Sequence, residues 1–484
     1  MSSIVSGNLT SGFIDLATFD ELEKYLYGCG RAVSYFMREV RKSTWFTQVP
    51  TVLQRSNGMG DFNAEWSANI TRAGDYLLYV WLRFDLPAVT FVNTGAGGTG
   101  LRWTRNLGHN LIKEASVTFN DLPAQRLDNY FLDFWAAFTT PASKAVGYDN
   151  MIGNISDLTL PVATGGTLRA YTINVPIPFF FTRNSGVALP TAALPYNDMK
   201  IQLWFRDWTE LLNVDNSAAS SGVVATRQAT LTDIGGVAPS LSNVYIWANY
   251  AIVSNDERKR MGCAPRDILM EQVQTSCSQT FTPQTNASPN YDIRFSHAVK
   301  ALFFAVRNTT VKSDYSNYTI NSAVVGVDTV TSAPIVTFNA PFPYHTDAIS
   351  NVSLTYENTT RLSQLGSDYF SLVQPYYQPS ATIPTETGYH VYSYSLDFIN
   401  LNPMGSTNYG KLTNVTIAPA ATTYATLAAT GGSFTTSYPL NSVLVTNGFT
   451  TAGINYAQTY SFITVALVNN IIRIAGGALG FPIL

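Results

Sequence analysis

The chain carries one set of sequence signatures twice, in the same order and at domain spacing. Thr47-Gln48-Val49-Pro50-Thr51 returns as Glu271-Gln272-Val273-Gln274-Thr275. Val117-Thr118-Phe119-Asn120 followed by Tyr130-Phe131 returns as Leu354-Thr355-Tyr356-Glu357 followed by Tyr369-Phe370. Tyr196-Asn197 with Lys200-Ile201 returns as Asn408-Tyr409 with Lys411-Leu412, and Val253-Ser254-Asn255 as Val468-Asn469-Asn470. The offsets drift only between about 211 and 239 residues, far above the 20–50 of solenoid repeats, so the repeated unit is a whole domain. The 484 residues divide into two units of about 220, each long enough to bury its own core.

From Trp45 onward, short runs rich in Val, Ile, Tyr, Phe and Thr alternate with Gly, Asn, Pro and Ser, the pattern of short strands. Strands are predicted near 45–54, 62–71, 75–86, 112–120, 171–181, 198–207 and 243–254 in the first half. In the second they fall near 268–275, 290–297, 299–307, 351–357, 389–398, 411–418 and 459–469. Seven or eight strands per half, in two packed antiparallel sheets, predict an all-β chain: two tandem eight-stranded antiparallel jelly rolls with short helices and an N-terminal arm. The divisions are 1–42 for the arm, 43–255 for the first jelly roll, 256–265 for a polar linker and 266–484 for the second. One helix is predicted around 124–137, where Leu127, Phe131, Phe134, Trp135 and Phe138 recur at helical spacing. Trp45, Trp81, Phe119, Trp204, Phe304, Tyr356 and Phe462 are the expected core positions. The connections at 91–101, 139–169, 212–242, 308–350 and 418–458 are long for a compact β domain, and are expected to project outward or meet neighbours.

The leader reads differently. Thr18-Phe19-Asp20-Glu21 fits a capping box, with Leu22, Tyr25 and Leu26 on one face before Gly28. Two readings stay open: a short helix packed on the first domain, or an arm that reaches a neighbour or an underlying layer. Phe13, Ile14, Leu16, Phe19, Leu22, Tyr25 and Leu26 are the contact residues of such an arm.

Charged residues make up 13% of the chain, against about 25% in ordinary domains. A surface poor in charge can be covered by other subunits without burying many unpaired ions. The net charge of −3 offers no general attraction for phosphate backbones, so nucleic acid is not an expected partner. Three cysteines, Cys29, Cys263 and Cys277, do not make a disulfide framework. The opening MSSIVSGNLTSGFIDL lacks the basic region and apolar run of a signal peptide, and no stretch reaches the roughly 18 apolar residues needed to span a membrane. Nine Asn-x-Ser/Thr sequons occur, which a Ser-, Thr- and Asn-rich composition produces without glycosylation.

Catalytic motifs are missing. Gly95-Ala-Gly-Gly-Thr-Gly100 lacks the Lys-Ser/Thr of a phosphate-binding loop. His109, His297, His345 and His390 are widely separated and show no metal-ligand spacing. Asp207 and Glu210, beside Trp208, resemble a glycosidase acid pair only in residue type. No enzyme activity, metal or cofactor is expected.

Several stretches together resemble iridovirus major capsid proteins. They are Ser11-Gly-Phe-Ile-Asp-Leu-Ala-Thr-Phe-Asp20, Arg72-Ala-Gly-Asp-Tyr76, Arg102-Trp-Thr-Arg-Asn-Leu-Gly-His-Asn-Leu-Ile112 and Ala193-Leu-Pro-Tyr-Asn197. Pro265-Arg-Asp-Ile-Leu-Met-Glu-Gln-Val-Gln274, Pro403-Met-Gly-Ser-Thr-Asn-Tyr-Gly410 and Gly480-Phe-Pro-Ile-Leu484 extend the resemblance along nearly the whole chain. It implies a double jelly-roll capsid protein of the nucleocytoplasmic large DNA viruses. In such proteins a homotrimer presents six jelly rolls as a pseudo-hexagonal capsomer. These capsomers tile an icosahedral shell over an internal membrane, with minor capsid proteins as further partners and assembly in the host cytoplasm. The alternative is a secreted glycan-binding or glycan-degrading β-sandwich, which a signal peptide or glycan mass would favour.

Overall fold

The computed structural model describes residues 9–28, 30, 32–92, 98–216, 224, 226–284, 288–320, 324–328, 334–337, 347–431, 449–452 and 457–480. Cys29, His345, Gly95 and the sequons at Asn8 and Asn286 lie outside these residues. Sixteen strands make the framework. In the first half they are β1 (Phe46–Val52), β2 (Glu65–Asn69), β3 (Tyr76–Leu86), β4 (Ile112–Phe119), β5 (Leu122–Asp128), β6 (Tyr171–Pro176), β7 (Met199–Phe205) and β8 (Ser242–Val253). In the second they are β9 (Arg266–Thr275), β10 (Tyr291–Asp292), β11 (Ala298–Asn308), β12 (Ile349–Tyr356), β13 (Thr359–Gly366), β14 (His390–Ser393), β15 (Val415–Ala421) and β16 (Tyr460–Ala475).

The first half forms antiparallel sheets ordered β1-β8-β3-β6 and β2-β7-β4-β5, the latter extended beyond β2 by the short edge strand Gln54–Asn57. The second forms β9-β16-β11-β14 and β10-β15-β12-β13. Adding eight to every strand of the first half gives the second, so the two halves are eight-stranded jelly rolls of one topology. Two of the quoted repeats fall where this demands, Thr47–Thr51 on β1 with Glu271–Thr275 on β9, and Val117–Phe119 on β4 with Leu354–Tyr356 on β12; Lys200-Ile201 lie on β7, but Lys411-Leu412 precede β15.

Strand alternation builds each core. Along β7, Met199, Ile201, Leu203 and Phe205 are buried and the residues between them are not. Trp204 therefore falls on the opposite face and is half-buried, not in the core as expected. Trp81 is half-buried for the same reason, because Val80, Leu82 and Phe84 take the inner positions of β3. Phe119, Phe304 and Phe462 lie in the core, and Tyr356 packs on its margin. Trp45, expected in the core, is 86% exposed; it precedes β1, an edge strand that is exposed along nearly its whole length.

β5 and its counterpart β13 were absent from the expected strands, and the predicted helix near 124–137 overlapped β5. Both follow two-residue turns: Phe119 pairs with Leu122 across Asn120-Asp121, and Tyr356 with Thr359 across Glu357-Asn358. All four turn residues have positive φ, 51°, 63°, 45° and 63°. Such turns match the twist of a hairpin, and without a glycine they lack their strongest sequence marker. The helix itself runs from Asn129 to Thr139.

The long connections leave the first roll at one end, because β3 ends where β6 and β8 begin: Leu86 faces Tyr171 and Asp85 faces Ser242. There they pair with one another, as Gly100–Trp103, Leu212–Asp215 and Thr226–Gln228 form a small sheet. The second roll repeats the device with Val324–Asp328, Pro334–Thr337 and Phe449–Ala452. Residues Phe46–Leu484 form one compact unit and Met1–Trp45 another.

Candidate functional site

The most heavily built polar and aromatic region lies on the seam where the rolls meet. The helix Asn129–Thr139 leaves the first roll directly after β5, and the Asp128 side chain caps it by accepting a hydrogen bond from the Phe131 N–H at 2.8 Å. Helical spacing puts Phe131, Phe134 and Phe138 on one stripe. Their rings surround Phe303 on β11, with centroids at 6.4, 6.0 and 5.7 Å. Phe398 adds an edge-on contact to Phe303 from the second roll, and Tyr318 and Tyr389 flank Phe134.

This contact explains why β11 is buried along almost its whole length. Leu302, Phe304 and Val306 face the second roll's own core, while Ala301, Phe303 and Ala305 join the cluster of the first. β16 divides likewise, with Phe462, Ala466 and Val468 inward and Ile463, Val465 and Leu467 on the seam. A strand covered on both faces reads as a nearly continuous apolar run, as in Ala301–Val306 and in Phe462–Val468, where Thr464 is the one polar residue.

Two ionic clusters cross the same seam. Arg102, fully buried, donates Nε to Asp215 at 2.8 Å and approaches Asp314 of the second half at 3.3 Å. Burial works against its charge, but the two carboxylates outweigh that and hold the guanidinium above its ordinary range. Asn213 Nδ2 also reaches Asp314 at 3.1 Å, and Thr104 Oγ1 donates to the Ser313 carbonyl at 2.9 Å. Arg105 pairs with Glu386. Nearby, Asp133 holds His109 Nδ1 at 2.7 Å and accepts from Ser316 Oγ at 2.6 Å and Tyr318 OH at 3.1 Å.

The second cluster centres on Glu271 of β9. It accepts Lys300 Nζ at 2.6 Å from its own roll and Arg183 Nε at 2.9 Å from the first. Arg183 also stacks on the Trp135 ring, 3.5 Å from its centroid. Backbone contacts complete the junction: Gln125 Nε2 donates to the Glu271 carbonyl and Gln272 Nε2 to the Ala124 carbonyl, both at 3.1 Å. Arg102, facing Asp215 and Asp314, and Glu271, facing Lys300 and Arg183, thus each have partners of opposite sign, the condition under which burying them is tolerable. The blocks Arg102–Ile112 and Pro265–Gln274, noted above only as resemblances, supply the central groups Arg102, Arg105, His109 and Glu271.

The remaining expected residues are dispersed. Within the unit Met1–Trp45, helices Leu9–Ala17 and Glu21–Leu26 bury no residue. Phe13, Ile14, Leu16, Phe19, Leu22, Tyr25 and Leu26 are all exposed, from 50% at Phe19 to 87% at Tyr25. The capping box there is Asp20 with Glu23, two residues beyond the expected Thr18 with Glu21. Asp207 caps the turn Trp208–Glu210, and Glu210 accepts the Tyr315 hydroxyl at 3.0 Å, so both acids have structural tasks. His390 binds Asp347 at 2.9 Å inside the second roll, far in sequence from the His109 cluster. Among the described residues, no three or more His, Cys, Asp or Glu side chains are grouped so as to hold a metal ion.

Comparison with known proteins agrees with this architecture. A family described as major capsid protein N-terminus matches residues 34–253. One described as large eukaryotic DNA virus major capsid protein matches residues 257–480. The major capsid protein of Costelytra zealandica iridescent virus is 57% identical over 100% of both chains. That of Lymphocystis disease virus 1 is 45% identical, again over 100% of both. Among solved structures, the PBCV-1 capsid model superposes with a TM-score of 0.71 at 21% identity, covering 93% of this chain and 100% of that one. The Faustovirus major capsid protein gives 0.63 at 13% identity, covering 92% and 93%. Those two likenesses speak for the double jelly-roll fold alone.

Proposed function

Because the chain belongs to the large eukaryotic DNA virus major capsid protein family, and is a structural protein of the virion rather than an enzyme, we propose that it works as a homotrimer. Three chains then contribute six jelly rolls to a pseudo-hexagonal capsomer, and such capsomers tile an icosahedral outer shell. The observation that carries this reading is the strand-for-strand correspondence of the two halves. A ring of three double units has nearly six-fold sides, so one kind of chain can pack hexagonally while its halves diverge for different neighbours.

In this reading the working divisions are the arm at 1–42, the first roll at 43–255, the linker at 256–265 and the second roll at 266–484. The arm meets minor capsid proteins or the layer beneath the shell, where the internal membrane lies, and assembly takes place in the host cytoplasm. The exposure of Phe13, Ile14, Leu16, Phe19, Leu22, Tyr25 and Leu26 supports a docking role, since a lone surface helix has no need of such side chains. Nucleic acid is not a partner. The test is light scattering on the purified full chain: a particle of three times the 52.9 kDa chain mass is expected, and a monomer persisting at high concentration would overturn the reading.

A further inference from the structure

The seam inside the chain is also a template for the contact between chains. Across it, the helix following β5 drives Phe134 and Phe138 onto the outward face of β11. The second roll carries the counterpart of that helix directly after β13, as the turns Tyr369–Val373 and Gln374–Tyr377. Tyr369-Phe370 stands 239 residues after Tyr130-Phe131, and the same 239 residues carry Phe134 to Val373 and Phe138 to Tyr377. Phe370 is buried against Phe304 and Tyr392 of its own roll, and Phe131 is buried as well, at the margin of the seam beside Phe303. The outward pair is not: Val373 is 38% and Tyr377 76% exposed, with Tyr376 beside it at 71%.

The receiving face has a counterpart as well. β3 is the equivalent of β11, and its outward side carries Tyr79, 48% exposed, and half-buried Trp81, which stacks on Trp247 of β8 at 6.0 Å. Tyr79 and Trp81 border a cleft of about 740 Å³, closed on its other sides by Trp135, Tyr148, Asn174 and Pro176. In the second roll the corresponding face is covered by the first roll's helix. In the first roll it is open.

We infer that this cleft receives Tyr376 and Tyr377 of a second copy of the chain. Each chain thus offers one filled and one unfilled version of a single contact, and repeating the unfilled one head-to-tail closes a ring when the rotation per chain is a third of a turn. Aromatic side chains entering an aromatic-lined pocket are the usual anchors of such interfaces. The inference rests on the homotrimer reading and adds its residues.

Two measurements test it on the full chain. The double variant Tyr376→Asp with Tyr377→Asp should weaken trimer formation by about a hundredfold or more in light scattering, with unchanged circular dichroism because both side chains are exposed. Separately, Tyr79→Cys with Tyr377→Cys, in a background with Cys29, Cys263 and Cys277 changed to Ser, should give covalent trimers on a non-reducing gel after mild oxidation. A wild-type trimer that survives the double Asp change and yields no cross-link would overturn this contact while leaving the trimer intact. A wild-type monomer would instead remove the homotrimer reading itself.

Discussion

Arg102 is the side chain whose loss the molecule should feel most. It is fully buried between Asp215 and Asp314, carboxylates from opposite sides of the seam. Arg102→Ala leaves two buried negative charges facing each other, and is expected to cost about 3–5 kcal/mol. Adding Asp215→Asn and Asp314→Asn should recover part of that, since the charges are then gone; chemical denaturation of the three forms checks both statements. Asp233 makes a different case. Burial alone would raise its carboxyl, but Arg227 and Thr230 together hold it down to about 2. A carboxylate lowered on folding contributes stability that is complete above its ordinary value of 3.8 and lost as pH falls toward 2. Asp233→Asn should therefore melt earlier than wild type at pH 6, and the gap should close between about pH 4 and pH 2.

At the scale of elements, the hairpin turns joining β4 to β5 and β12 to β13 hold four non-glycine residues at positive φ. A left-handed backbone costs an ordinary residue about 1 kcal/mol. Glu357, neither Asn nor Asp, bears that cost most fully. Glu357→Gly is expected to raise the melting temperature by at most about 1 °C, because it also removes the carboxylate's contacts to the Thr413 and Asn414 N–H groups. Asn358→Gly should change it by under about 1 °C, both read by differential scanning calorimetry. The same turns account for what could not be read in the chain. Seven strands per half were legible from β-branched and aromatic runs, but β5 and β13 were hidden because Asn-Asp and Glu-Asn announce a hairpin less clearly than Asn-Gly. Core assignments held for Phe119, Phe304 and Phe462, whereas Trp81 and Trp204 show that size does not decide which face of a strand a residue takes. The seam was present in the sequence as two strongly apolar strands, one interrupted only by Thr464, yet such runs look alike whether a strand lies inside one roll or between two.

For the whole molecule, the two compact units suggest a division of labour that can be cut. Removing residues 1–42 should leave the melting temperature of the remaining body nearly unchanged, because Phe46–Leu484 form a compact unit of their own. Shell assembly should fail in the same truncation; particles of normal yield and diameter in electron micrographs would argue that the arm is dispensable. The overall architecture was legible because duplication amplifies weak local signals. Which surfaces join the halves was not, since that depends on side chains brought together from residues as distant as Arg102 and Asp314.

The aromatic stripe on the helix Asn129–Thr139 has a consequence in time. Phe303 and Tyr389, which cover it, lie further along the chain, Tyr389 255 residues after the Phe134 that it touches. At ribosomal rates of about 5–20 residues per second, the stripe is made roughly ten to fifty seconds before its cover is complete. During that interval the nascent first half presents three phenylalanines to a crowded polysome, where neighbouring nascent copies carry the same bare stripe. Synthesis of such a chain in bulk therefore calls for a chaperone that holds the first half until the second emerges.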